Sequence, residues 1–171
     1  MTDGKPLLLL DIDGVFSLFG FAFDKPPAGS WHGIDGVLHF LSSTTAGHLQ
    51  RLGEWFEPIW CSGWEEKASE HLPALLGVPV LPHLTFARNP GKARAHWKLD
   101  AIDAYAGAER PVAWVDDALD DACEAWAAQR ARHAPTLLLH TLPAVGLTDE
   151  GVDALIAWAA GLAPAAAPPR A

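Results

Sequence analysis

The chain has 171 residues, half of them apolar and eight of them tryptophan, which is enough for one domain with a substantial core and too little for several. Its formal charge of −9 argues against a broad electrostatic grip on nucleic acid or anionic membrane, while leaving room for a local basic site. Two cysteines, Cys61 and Cys123, sit in apolar patterns without metal-ligand spacing, which suits reduced thiols and makes zinc improbable.

The first element is Leu7-Leu8-Leu9-Leu10, bounded by Pro6 and a glycine-containing turn, which reads as a strand buried on both faces. Asp11 interrupts this run, so it serves neither as a signal-peptide core nor as a membrane span, and the cytoplasm is the expected compartment. Such strands belong to parallel sheets, whose ligands bind outside the carboxyl ends. Asp11 and Asp13 stand at that end, and strand alternation sends them the same way. A plain strand end and turn would account for two aspartates taken alone.

From Val15 to Phe40, β-formers lie between Gly and Pro breaks, which predicts extended or hairpin structure. Ser43 or Thr44 can cap a helix carrying Leu49, Leu52 and Phe56. A short strand follows at Pro58-Ile59-Trp60-Cys61, closed by Ser62-Gly63-Trp64. The helix from Glu65 to Leu76 presents Ala68, Leu72, Leu75 and Leu76 as an apolar stripe, with Pro73 expected to break or kink it. Val78 to Leu81 reads as a third strand near a sheet edge.

Arg88, Lys92, Arg94, His96 and Lys98 form a basic stretch in an acidic chain. A helix bearing Leu99, Ile102 and Tyr105 begins at Pro90 or near Trp97. Pro111 to Val115 is an apolar strand ending in Asp116-Asp117, and the next helix carries Leu119, Cys123 and Trp126, with Asp120 as its natural cap. Thr136 to His140 makes a fifth strand, and Thr148 caps a last helix. Strands alternating with helices predict a parallel α/β sheet with right-handed crossovers, a three-layer Rossmann-like arrangement over residues 1–162. Residues 163–171, Ala and Pro with one Arg, read as a flexible tail.

Asp-x-Asp-Gly-Val after an apolar strand resembles the first motif of the haloacid dehalogenase (HAD) superfamily of phosphatases and phosphotransferases. That family carries a Ser or Thr after the second strand, then a Lys, then an acidic pair after a later strand, and Ser62, Lys98 or Lys92, and Asp116-Asp117 follow in that order. Lys98 matches if the helix opens near Trp97 and Lys92 if it opens at Pro90, with Lys98 the better fit. More narrowly, segments such as Trp60-Cys61-Ser62-Gly63-Trp64-Glu65 and Ala113-Trp114-Val115-Asp116-Asp117 resemble the HAD domain of predicted RNA-repair proteins.

The resemblance implies a five-stranded sheet in the order 5-4-1-2-3, with a flap but no large cap domain. It implies Asp11 as nucleophile, Asp13 as general acid and base, and Ser62 and Lys98 as phosphoryl-binding groups. Mg²⁺ would be held by Asp11, Asp13 and Asp116 or Asp117, hard oxygen donors suited to that ion. The implied reaction is hydrolysis of a phosphate monoester. Gly63, Trp64 and Lys92 would contact the substrate, a phosphorylated small molecule or a nucleic acid end, with Trp64 and Trp97 able to stack a base. A non-catalytic phosphate-binding module is the rival from another class.

Overall fold

The computed structural model describes residues 4–87 and 96–162. Arg88, Lys92, Arg94, the alternative helix start at Pro90 and the 163–171 tail lie outside the described residues. Strand β1 (Leu7–Leu10) has no exposed side chain, so each leucine contributes roughly 1.5–3 kcal/mol through burial. It is the inner strand of a parallel sheet, flanked by β5 (Glu57–Trp60) on one side and β6 (Val112–Asp116) on the other. β6 pairs in turn with β7 (Thr136–His140), giving the order β5-β1-β6-β7.

Why four consecutive leucines are needed follows from the layers. Leu8 and Leu10 pack in a cluster with Leu49 and Leu52 of α1 (Thr45–Trp55), Ala68 and Leu72 of α2 (Glu66–Leu76), and Val152 and Leu155 of α5 (Asp149–Leu162). Leu7 and Leu9 pack in a second cluster with Leu99 and Ile102 of α3 (Leu99–Ala106) and Cys123 and Trp126 of α4 (Asp121–Arg130). Helices therefore cover both faces, and strand alternation divides the leucines between them. The expected α/β class holds.

The expected third strand does not. Val78 to Leu81 forms no strand, and only a single parallel bridge, Trp60 to His83, extends the sheet beyond β5. Pro79 and Pro82 explain this, because each lacks the N–H that a ladder requires. Two hydrogen bonds remain, Trp60 N–H to the Pro82 carbonyl (2.9 Å) and Leu84 N–H to the Trp60 carbonyl (2.8 Å). Pro73, expected to break its helix, is carried within α2, which runs on to Leu76 and stops at Gly77 in the left-handed region. Leu119 precedes α4 rather than lying on it, and Asp120 caps that helix by accepting from Cys123 N–H at 3.0 Å. Cys61 and Cys123 are buried free thiols, both pushed up by burial.

A second, antiparallel sheet, β2-β4-β3, is built from β2 (Ser17–Leu18), β3 (Gly29–Ile34) and β4 (Val37–Ser42). Asp35 and Gly36, with φ of 50° and 80°, make the two-residue turn between β3 and β4. Both central residues of a type I′ turn need positive φ, and Asp-Gly supplies that. The turn is tied to α2, where Lys67 Nζ lies 2.5 Å from Asp35 Oδ2 and His71 Nε2 lies 3.6 Å from Asp35 Oδ1. Trp31 packs on Phe21, Phe23 and Phe40 of the same unit, so it serves the flap's own packing. No helix among the described residues is long and apolar enough to cross a membrane.

Candidate active site

β1 and β6 are neighbours, and both run into acids at their carboxyl ends. Asp11 donates its backbone N–H to Val115 (3.0 Å), which sets its carboxylate beside that of Asp116. Both side chains are buried, Asp116 completely. Between them stands Lys98, at the N-terminal cap of α3, with Nζ 2.6 Å from Asp116 Oδ2 and 3.0 Å from Asp11 Oδ2. Trp114 Nε1–H donates to the same Asp116 Oδ2 at 3.1 Å, and Ala118 N–H donates to Oδ1 at 2.9 Å. Both oxygens of Asp116 are thus engaged by the protein. His96, buried and kept below the usual histidine range by burial, accepts from Lys98 N–H (3.4 Å) and fixes the approach to this lysine.

The charges here do not balance. Burial pushes the Asp11 carboxyl up to about 6, with the Lys98 cation opposing that rise and the Asp116 charge adding to it. Burial and the same Asp116 charge raise Asp117. Burial works against the Lys98 ammonium, yet the two aspartates prevail and hold it above the usual lysine range. Each of Asp11, Asp116 and Asp117 offers an oxygen within 4.8 Å of the others, so three carboxylates face one ammonium. A hard divalent cation fits such a donor set, and its charge would oppose the burial and the lesser carboxylate repulsion that raise Asp11 and Asp117.

Asp117 lies over Gly14. A Cβ built on Gly14 would stand 2.3 Å from Asp117 Cγ, and the glycine's φ of +74° is itself hostile to a side chain. The approach is fixed from both directions, since Thr141 Oγ1–H donates to the Gly14 carbonyl (2.8 Å) and His140 Nε2–H to the Asp117 carbonyl (2.6 Å). Gly14→Ala is expected to cost more than about 1 kcal/mol and to drive Asp117 off the site. Chemical denaturation and a Mg²⁺ titration of melting temperature check both parts, and an unchanged metal response would show that Asp117 does not need this seat.

Asp13 stands apart from the buried cluster, with its side chain half exposed. Trp64 Nε1–H donates to Asp13 Oδ2 at 2.9 Å, and His39 Nδ1 lies 3.8 Å from Oδ1. Ser62 is buried just past β5, on the same sheet edge as Asp11, because Cys61 N–H donates to the Leu10 carbonyl at 2.7 Å. Its carbonyl accepts from Glu65 N–H (3.1 Å), closing a turn over Gly63, while its Oγ accepts only a long contact from Trp64 N–H (3.4 Å). Gly63 faces the Trp97 ring, 3.8 Å from where its Cβ would stand. Lys92 lies outside the described residues, and among the described lysines and arginines it is Lys98 that reaches Asp11 and Asp116.

Four contributors escaped the sequence reading. Trp114 carried a usable signal, since it precedes Asp116 by two on one strand and so shares its face. His39 approaches from the flap and His96 from the turn before α3, and neither had a local mark. Glu65 has φ of +47° and accepts Phe86 N–H at 2.7 Å, tying the Ser62 turn to the segment beyond β5. A non-glycine residue in that region stores strain of the kind that gathers at functional turns. No protein-family model and no curated protein matches this chain.

Proposed function

We propose that this chain is a Mg²⁺-dependent phosphatase of the HAD type, hydrolysing a phosphate monoester through an aspartyl-phosphate on Asp11. The observation that carries the reading is Lys98 Nζ held between Asp11 and Asp116 at adjacent strand ends, with Asp117 alongside. The strand order supports it. β7, β6, β1 and β5 stand for the fifth, fourth, first and second strands of the family order 5-4-1-2-3, and the Trp60–His83 bridge falls where the third would begin.

A phosphate monoester dianion repels a carboxylate nucleophile, and bound Mg²⁺ would offset that charge. Asp11, the Asp13 backbone carbonyl and Asp117 would hold it, since Asp116 accepts three close donors, Lys98, Trp114 and Ala118, where Asp11 accepts two, Ile12 N–H and Lys98. Asp116 then keeps Lys98 in place, and Lys98 and Ser62 bind phosphoryl oxygens as negative charge spreads over them. Asp11 attacks phosphorus, while Asp13 protonates the departing oxygen and later takes a proton from the hydrolytic water.

A compact ester is favoured over a long nucleic acid strand. Beside Asp13, a cleft of about 190 Å³ lies between the flap turn and α2, lined by Ile34, Asp35, Val37, His39, Gly63, Trp64 and Lys67. The Lys67–Asp35 ion pair closes its rim. Nucleotides and sugar phosphates are the expected substrates, with a nucleic acid end as the larger alternative.

The test is phosphate release from nucleotides, sugar phosphates and 3′- or 5′-phosphorylated oligonucleotides, with and without Mg²⁺. Turnover should require the ion, and Mg²⁺ at a hundred times its dissociation constant should add about 2.7 kcal/mol to native stability. Asp117→Asn should erase both effects. An undiminished thermal shift in that variant would move the metal elsewhere, and no turnover of any ester would sink the hydrolase reading.

A further inference from the structure

We infer that Trp64 is a positioning residue for the leaving-group acid, and not a platform on which the substrate stacks. The inference rests on the phosphatase reading above and concerns the same site. The indole Nε1–H is spent on Asp13 Oδ2 at 2.9 Å, across 51 residues of chain. The ring is engaged as well, meeting the His39 imidazole edge-on with centroids 4.7 Å apart. His39 is held in turn by Ser17, whose Oγ lies 3.1 Å from His39 Nδ1. A carboxyl group past a glycine turn, with its side chain half in solvent, would otherwise sample several rotamers.

The consequence is atomic. With Oδ2 accepting from the indole, Oδ1, the oxygen on the His39 side, is the one left to pass a proton to the leaving group. In the first half-reaction an Asp11 oxygen forms a bond to phosphorus and the bond from phosphorus to the ester oxygen breaks. The electron pair left on that oxygen takes the proton from Asp13 Oδ1, so Asp13 becomes a carboxylate whose Oδ2 keeps the indole hydrogen bond. Water then attacks phosphorus and gives one proton to Oδ1 while the bond from phosphorus to the Asp11 oxygen breaks, which releases inorganic phosphate and restores both aspartates. Trp64 and His39 also line the 190 Å³ cleft, so the residues that aim the acid border the space for the departing alcohol.

Such a role has a signature that packing and stacking lack: dependence on the leaving group. An alkoxide leaves only with a proton, whereas p-nitrophenolate leaves without one. Trp64→Phe keeps a ring against His39 and removes the donor. Its kcat on glycerol phosphate should fall about ten- to a hundredfold, part of what general acid catalysis supplies, while p-nitrophenyl phosphate stays within about twofold. Equal losses on the two esters would overturn the inference in favour of a structural role. A raised KM for a nucleotide with kcat unchanged would overturn it in favour of stacking.

A second measurement needs no turnover. Exchange of the Trp64 indole proton, followed by NMR, should quicken at least about tenfold in Asp13→Ala, the equivalent of losing a 1.4 kcal/mol hydrogen bond, with the Trp114 indole unaffected. Unchanged exchange would overturn the contact itself. A parent protein that hydrolyses neither ester with Mg²⁺, yet shows this coupling, would overturn the phosphatase reading and the acid-aiming role with it. Loss of ester discrimination in an active parent would overturn the role alone.

Discussion

Replacing Asp11 with Asn is expected to lower turnover by on the order of 10⁴ to 10⁶, as removal of a covalent nucleophile does, while leaving the fold in place. The pH dependence of stability separates this from general damage. Burial raises the Asp11 carboxyl from the ordinary 3.8 to about 6, so between those values the folded chain holds a proton that the unfolded chain has lost. Stability of the metal-free parent therefore falls from this group as pH rises through that window, and Asp11→Asn removes the fall. At pH 7 without metal the variant should equal or exceed the parent in stability, with the difference vanishing near pH 4. Denaturant melts at both pH values, alongside phosphate release, check this. A variant that keeps most of the parent's turnover would place the nucleophile elsewhere.

Lys98→Met is expected to be the most destabilising change in the site. It removes the ammonium that lies within 3.0 Å of two buried carboxylates and leaves their charges unpaired. Breaking a buried ion pair from one side costs about 3–5 kcal/mol, a large fraction of the stability of a single domain. Asp116→Asn in the same chain should recover part of that loss, because one of the stranded charges is gone. Urea midpoints of the two single variants and the double variant supply the cycle. Strict additivity would mean that Lys98 and Asp116 do not act as a pair. Activity should stay absent in the two variants that lack Lys98, since Lys98 is proposed to meet the phosphoryl group.

The acids were legible because they sit where a pattern ends. Leu7 to Leu10 and Val112 to Val115 announce buried strands, and the residues that follow them must lie at the sheet's carboxyl edge. The order of the strands was not legible from spacing and rested on resemblance, and the third strand was overread because Val78 to Leu81 looks apolar while Pro79, with Pro82 just after it, cannot donate to a ladder. Lys98 has its ammonium beside the acids because the turn before α3 carries it there, while its rival Lys92 lies outside the described residues. The division of labour between Asp116 and Asp117 was hidden for another reason. Asp116 and Asp117 both bring a carboxylate oxygen to one cluster, and the donors that set Asp116 apart, the indole of Trp114 and the amide of Ala118, meet it only in the folded chain. Trp64 shows in sequence only as a ring beside Ser62-Gly63, able to stack a base or to pack, whereas its partners, Asp13 and His39, arrive from two distant elements.

The truncated third strand has a bearing on solubility. An exposed sheet edge offers a row of free backbone donors and acceptors on which a neighbouring molecule can template, and Glu57 to Trp60 would present one. The segment through His83 occupies the far end of that row with two hydrogen bonds. Pro82 faces β5, where its carbonyl accepts from Trp60 N–H, and Pro79 and Pro82 together leave this segment without the run of N–H donors that a continuous strand would offer. The proline pair that costs the sheet a strand therefore acts as a gatekeeper against edge-to-edge aggregation, beside the same β5 that leads into Ser62.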